Sequence, residues 1–243
     1  MFVLDNRTLL FSHVLITAAL TVLVIIAVHT VRYEKPRRWI AANALHLIGF
    51  AILFTQDYLP PVISVVVANL FVIASFLTFA GISLDALDRS LPRIGIVALL
   101  IVHIVSYLLY TYAWPHVWVR VIVVSIEIVV VSTYVSIVSF RADSPNNTTR
   151  FQAFLWAILA LSHLLRPFLL LFAAAPDAPI LHANISSAVA FIAVTIFVIA
   201  WNLSVFLNTL HRFYVRLARI SDLHEQFRDE LIVLQRLIPA KSW

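Results

Sequence analysis

Seven long runs of mainly apolar residues follow one another along the chain, and they restrict its fold more than any other feature. They cover residues 9–31, 39–55, 61–84, 94–112, 117–140, 151–174 and a seventh run from residue 186 onward. A helix needs about 20 apolar residues to cross a bilayer, and several runs reach that length. Only 12% of the residues are charged, against about 25% in soluble domains. The sequence therefore predicts an all-α, polytopic bundle of seven transmembrane helices.

The loops between the runs alternate in positive charge. One set of loops, together with the last helix, carries most of the basic residues, namely Arg32, Lys35, Arg37, Arg38, Arg89, Arg93, Arg141, Arg150, Arg212, Arg216 and Arg219. The other set carries only Arg7 and Arg120. Because basic loops stay in the cytoplasm, we expect the amino terminus outside and the carboxyl terminus in the cytoplasm.

Composition excludes several classes of function. The chain has no Cys, so disulfides and thiolate metal sites are impossible. No predicted span contains Lys, which excludes a retinal Schiff base. The net charge of +5 is explained by basic loops beside the membrane, so lipids are expected as partners and nucleic acid is not. With no phosphate-binding Gly loop and no nucleophile elbow, no enzymatic activity is expected of this chain.

The last helix continues from apolar into charged sequence without a Pro or Gly before Pro239. Its charged half has apolar residues alternately three and four positions apart, interrupted by one histidine: Leu210, Phe213, Leu217, Ile220, His224, Phe227, Leu231, Leu234 and Ile238. This spacing predicts the a/d seam of a coiled coil, here a parallel homodimer. The alternative is a lone amphipathic helix that packs on its own bundle or lies on the lipid surface.

Two opposite charges lie inside predicted spans, where an ionisable group is costly and suggests a function. Glu127 lies near the middle of the fifth span and Arg166 at a similar depth in the sixth, so we expect an ion pair between them in at least one state. The pair either fixes helix packing or marks an anion-attracting pocket around Arg166 whose ligand displaces Glu127. The residues expected to line this ligand site are Arg166, Glu127, His163, Arg120, Tyr134, His103 and Asn69.

Three histidines, His46, His103 and His163, fall near the predicted midplane. They could bind haem or a metal, or relay protons. No two of them share a span at ligand spacing, which favours neutral histidines bonded to backbone or hydroxyl groups and no cofactor. Asn43, Asn69 and Asn202 are predicted to form hydrogen bonds between helices, and Asn69 is also counted with the ligand site above.

Several short motifs resemble the amino-terminal multi-helix sensor regions of bacterial GGDEF-type diguanylate cyclases and related membrane sensor kinases. The segments that carry this resemblance are Leu4–Leu10, Trp39–Gly49, Leu59–Asn69, Phe79–Ile82, Arg120–Ser125 and Leu164–Arg166. The first contains Leu-Asp-Asn-Arg-Thr-Leu, and the third contains Pro-x-x-Ile-Ser-x-Val-x-x-Asn. The resemblance extends over residues 1–220, but no Gly-Gly-Asp/Glu-Glu-Phe motif and no kinase core follow.

The resemblance implies a sensor input module in a bacterial cytoplasmic (inner) membrane. We expect a seven-helix sensor bundle at 1–209, a cytoplasmic signalling helix at 210–238 and a tail at 239–243, with the output domain absent. The bundle would bind a small-molecule or lipid-like ligand and pass the signal to a diguanylate cyclase or histidine kinase domain. The alternatives are an intramembrane haem, metal or redox protein, and a small transporter, although no internal repeat supports the latter.

Overall fold

The computed structural model describes residues 5–31, 36–142, 147–171 and 185–237, and all regular secondary structure in these ranges is helical. The helices are α1 (Asn6–Val31), α2 (Pro36–Phe54), α3 (Ala68–Asp85), α4 (Arg93–Leu108), α5 (Val117–Phe140), α6 (Asn147–Leu171) and α7 (Ile185–Leu237). A π-helical segment, Val62–Val67, leads into α3, and a second, Leu109–Ala113, follows α4. The predicted all-α architecture is confirmed.

Six of the helical segments are long and apolar enough to cross a membrane. They correspond to six of the predicted spans, and α2 is the exception. Arg37, Arg38, Asn43 and His46 lower the hydropathy of α2. The membrane character of the chain is therefore supported, while a count of seven spans remains a prediction.

Local sequence sets several helix ends. Asp5 caps α1, because its carboxylate accepts hydrogen bonds from the Thr8 hydroxyl at 2.8 Å and from the backbone N–H of Arg7 at 3.1 Å. These bonds lower the pKa of the Asp5 carboxyl from its ordinary 3.8, with the Thr8 hydroxyl as the largest cause. Pro92 directly precedes α4, and Pro115 lies between the π-helical segment after α4 and the start of α5. Proline has no backbone N–H to donate, so a helix does not continue through either position.

Helices α2 and α3 make one of the closest contacts in the bundle, and Gly49 permits it. A Cβ atom at Gly49 would lie 2.9 Å from Val72 Cγ2 and 3.0 Å from the Ala68 carbonyl oxygen. Small residues allow membrane helices to approach each other in this way. Extensive contacts also join α1 to α2, α3 to α5, and α5 to α6.

Buried polar side chains connect α7 to the other helices. The indole N–H groups of Trp156 and Trp201 donate to the Ser83 hydroxyl at 3.1 and 2.9 Å. Asn43 and Asn202 bond to each other, so the prediction of interhelical bonds is confirmed for this pair. It is wrong for Asn69, whose amide donates to the Val65 carbonyl of the preceding turn at 2.7 Å.

Contacts divide the chain into two compact units, Met1–Ser204 and Val205–Trp243. In the second unit the seam residues Phe213, Leu217, Ile220 and Phe227 have exposed side chains. Leu231 and Leu234 belong to α7, but their side chains lie outside the description, and Ile238 lies outside the described residues. The coiled-coil dimer therefore remains a prediction.

Candidate functional site

A small cavity lies inside the bundle, with walls from α2, α3, α4, α5, α6 and α7. Its volume is about 50 Å³. Since one water needs about 10–15 Å³ of such volume, about three to five waters or one small ion would fill it. The polar part of the wall consists of Asn69, Tyr107, His163 and Arg166, and the remainder is apolar.

Arg166 is the cation in this wall, and its side chain is only 7% exposed. Its Nε atom is buried and has no hydrogen-bond partner. Among the described residues, no carboxylate lies within 4.0 Å of its guanidinium group. The Ser186 hydroxyl of α7 donates to the Arg166 backbone carbonyl at 3.2 Å. A buried cation without a carboxylate partner is costly, so it favours an anion in the cavity beside it.

Glu127 does not pair with Arg166 in this structure, and the ion pair expected in at least one state stays a prediction. Its Oε2 atom lies 2.6 Å from Nδ1 of His103, and both side chains are buried. Residue counting compares the depths of two residues, but it does not show which neighbouring helix each residue faces. Helix α4 brings His103 to Glu127, while Glu127 Oε1 and His103 Nε2 remain without a hydrogen-bond partner.

Tyr107 connects the Glu127–His103 pair with the cavity. Its ring stacks on His103 with centroids 4.3 Å apart, and its hydroxyl donates to the Arg120 carbonyl at 3.2 Å. Tyr107 also lines the cavity that contains Arg166. Tyr107 is not among the residues expected at the ligand site, although the sequence places it with His103, Ser106 and Tyr110 in a polar stripe on one helical face.

The predicted ligand-site residues therefore occupy different places. Arg166, His163 and Asn69 line the cavity. Glu127 and His103 pair with each other, and the Arg120 guanidinium donates to the Thr111 hydroxyl at 3.1 Å. Tyr134 is 37% exposed and lies outside the cavity wall.

The three histidines proposed as alternative metal or haem ligands have separate partners. Nδ1 of His163 lies 3.2 Å from the Leu159 carbonyl oxygen, and His103 pairs with Glu127. His46 lies against His13, which the sequence analysis did not consider: their Nε2 atoms are 3.0 Å apart. In the described part of the chain, no group of three or more His, Asp or Glu residues is placed to hold a metal.

Comparisons with protein-family models, curated proteins and solved structures gave no match to this chain. The resemblance to bacterial sensor regions therefore remains a hypothesis. The function must be argued from the cavity and from the helices that form it.

Proposed function

We propose that this chain is the sensory input module of a membrane receptor and that it detects a small anion bound beside Arg166. The observation that carries the proposal is the buried guanidinium, which has an unpartnered Nε atom and borders a cavity of about 50 Å³. An anion in the cavity would supply a negative charge beside the guanidinium and accept a hydrogen bond from its Nε atom.

The cavity also limits the ligand. Its volume suits an ion of about three or four non-hydrogen atoms, such as formate or nitrate. The Asn69 amide and the Tyr107 hydroxyl already donate to backbone carbonyls. Arg166 is therefore the principal ligand-binding residue, and the mainly apolar wall lowers the local dielectric and so strengthens its attraction for an anion.

Helix α7 is the element that would report occupancy. Ala190, Phe191 and Val194 of α7 line the cavity, and Ser186 bonds to the Arg166 carbonyl. An occupant therefore touches α7 directly. We propose that α7 pairs with that of a second copy through the Leu210–Ile238 seam and passes the change to a cytoplasmic output domain, of diguanylate cyclase or histidine kinase type, in a bacterial inner membrane.

The test uses the full chain in lipid nanodiscs with sodium formate or nitrate, against sodium gluconate at equal ionic strength. We expect formate or nitrate to raise the unfolding temperature of the wild type. The rise should disappear in Arg166→Gln and persist in the control Arg120→Gln, whose guanidinium bonds to Thr111 outside the cavity wall. An equal rise in Arg166→Gln, or no rise with either anion in the wild type, would overturn the proposed site.

A second measurement tests signalling. The chain has no native Cys, so a Leu217→Cys variant can be crosslinked at one position. We expect the anion that stabilises the bundle to change the rate of crosslinking, and the change to vanish when Arg166→Gln is added. If an anion stabilises the bundle without changing the rate of crosslinking, the proposed binding site would stand and the proposed sensory role would be overturned.

A further inference from the structure

Four helices meet at a continuous chain of hydrogen-bonding groups centred on two buried histidines. The Nε2 atoms of His13 (α1) and His46 (α2) lie 3.0 Å apart. Nδ1 of His13 lies 2.7 Å from the Thr195 hydroxyl of α7, and Nδ1 of His46 lies 2.9 Å from the Ser75 hydroxyl of α3. None of these four residues lines the Arg166 cavity. The cluster therefore shares no polar side chain with the proposed anion site, although Phe50 and Phe76 contact the histidine rings and also line the cavity.

Each hydroxyl at the ends of the chain also reaches a backbone carbonyl. The Ser75 oxygen lies 2.6 Å from the Val72 carbonyl oxygen, and the Thr195 oxygen lies 2.7 Å from that of Phe191. A hydroxyl has a single proton. When both hydroxyls donate to these carbonyls, both Nδ1 atoms must donate to the hydroxyls. The two Nε2 atoms then face each other with lone pairs, and the 3.0 Å contact requires one additional proton between them.

Without this proton, the neutral pair can bond in either of two directions. In the first, Ser75 donates to His46, His46 donates through Nε2 to His13, and His13 donates through Nδ1 to Thr195. In the second, Thr195 donates to His13 and every bond runs the other way. Each direction removes one carbonyl bond, to Val72 O in the first and to Phe191 O in the second. Proton uptake restores both carbonyl bonds.

We propose that His13 and His46 form a binding site for one proton, held between their Nε2 atoms, and that the neutral pair alternates between two hydrogen-bond directions. The side chains that face the rings are the two hydroxyls and the aromatic rings of Phe50, Phe76 and Phe79. Among the described residues, neither ring forms an ion pair with a carboxylate, and the only ionisable group bonded to each ring is the other imidazole.

The surroundings of the two imidazoles favour one positive charge shared by both rings over a separate positive charge on each ring. The centroid of Phe50 lies 4.3 Å from that of His13 and 4.7 Å from that of His46, within the distance at which an aromatic ring attracts a cation. One proton between two imidazoles spreads its charge over both rings, while a second proton would place two cations side by side in a dry interior. We therefore expect the pair to take up one proton.

The site also gives α7 a second input. Thr195 bonds to the carbonyl of Phe191, and Phe191 lines the cavity beside Arg166. In the second direction of the neutral pair, the Thr195 hydroxyl leaves that carbonyl and donates to His13. Proton binding would thus change a hydrogen bond to the backbone carbonyl of Phe191, a residue of the cavity wall.

Nitrogen NMR of the full chain in lipid nanodiscs, labelled with ¹⁵N-histidine, tests the shared proton. Signals are assigned by their loss in His13→Gln and His46→Gln. We expect a through-hydrogen-bond coupling between the two Nε2 atoms of the wild type. On acidification, the pair should take up one proton and show both Nδ1 atoms protonated. Absence of the coupling, or uptake of two protons, would overturn the proposal.

Two matched variants test the hydrogen-bond directions. In Ser75→Ala, Nδ1 of His46 loses its partner, so the proton of His46 should lie on Nε2 and that of His13 on Nδ1. In Thr195→Val the assignment should reverse, with the proton of His13 on Nε2 and that of His46 on Nδ1. The same tautomers in both variants would contradict the two-direction scheme. Because none of these residues lines the anion cavity, failure here leaves the formate and nitrate experiment unaffected.

Discussion

Asn43 of α2 and Asn202 of α7 exchange two hydrogen bonds of 3.0 Å in the buried part of the bundle. Asn202 Oδ1 also accepts a hydrogen bond from the Trp39 indole at 2.8 Å. A membrane interior offers no water to replace these partners. The pair therefore fixes one register of α7 against α2.

The two asparagines should contribute unequally to stability. Asn202→Ala removes the acceptor of both Trp39 and Asn43, whereas Asn43→Ala leaves Trp39 bonded to Asn202. We expect Asn202→Ala to lower the free energy of unfolding by about 1–3 kcal/mol, and Asn43→Ala by less. Unfolding by SDS, followed by circular dichroism, measures both. Thr78→Val is the control, since its hydroxyl bonds to Ala74 of its own helix, and equal losses in the two Asn variants would contradict the shared-acceptor role.

The Glu127–His103 pair predicts non-additive substitutions. His103→Leu leaves the Glu127 carboxylate buried without its 2.6 Å partner. We expect this single substitution to cost about 3 kcal/mol of unfolding free energy, and the double variant with Glu127→Leu to cost less. A double-mutant cycle measures the coupling. The control is the combination of His163→Leu with Glu127→Leu, whose losses of unfolding free energy should be additive because His163 bonds to the Leu159 backbone. Additive losses for the His103 and Glu127 substitutions would contradict the pair.

The pattern of apolar residues in the sequence predicts where the helices lie better than it predicts which residues of different helices contact each other. Pro115 and the apolar run after it predict α5 with its observed bounds, Val117–Phe140. Which residues of two helices meet depends on the rotation of each helix about its own axis. A helix that is apolar on both its buried side and its lipid-facing side gives no pattern from which to read that rotation. Tyr134 lies seven residues after Glu127 in the sequence, but an α-helix drifts about 20° per heptad, so the two side chains do not share one face. Glu127 lies at the edge of the buried stripe, and Tyr134 lies beyond it.

The His13–His46 contact was missed for a related reason. The two residues are 33 positions apart on different helices, and the sequence analysis grouped His46 with His103 and His163 only. Neither apolar spacing nor residue type gives the distance between such groups. The cavity beside Arg166 likewise depends on how six helices pack, so the sequence predicted Arg166, His163 and Asn69 but neither Tyr107 nor the apolar part of the wall.

Gly49 and Gly81 form a matched pair for testing the α2–α3 contact. A Cβ atom at Gly49 would meet Val72 and the backbone of α3, whereas one at Gly81 has no atom within 4 Å. We expect Gly49→Ala to lower the unfolding free energy by about 1–3 kcal/mol through overpacking. Gly81→Ala should be neutral or stabilise by up to about 1 kcal/mol, since Ala favours the helix. Comparable losses in both variants would show that α2 and α3 are less closely packed than described.

The Asp5 cap predicts a pH dependence at the start of α1. Because the folded pKa of Asp5 lies below 3.8, its contribution to the stability of α1 is present above that value and is lost as pH falls through the folded pKa. Thr8→Val removes the strongest bond to the carboxylate and should raise the Asp5 pKa towards its ordinary value. Carboxyl-carbon NMR measures the titration. Thr55→Val is the control, and an unchanged Asp5 pKa in Thr8→Val would contradict the cap.

The seam of α7 predicts a periodic pattern of crosslinks between two copies. Exposed apolar side chains at Leu217, Ile220 and Phe227 lie at a and d positions, where two parallel helices bring identical residues together. Single Cys substitutions at these positions should crosslink in nanodiscs, because the native chain has no competing thiol. Cys at Ala218 or Asp222, the b and f positions of the same helical turns, should crosslink much less, since these side chains point away from the partner. Equal crosslinking at all five positions, or a monomer at every protein concentration, would exclude the parallel pair and leave α7 without a route from the bundle to an output domain.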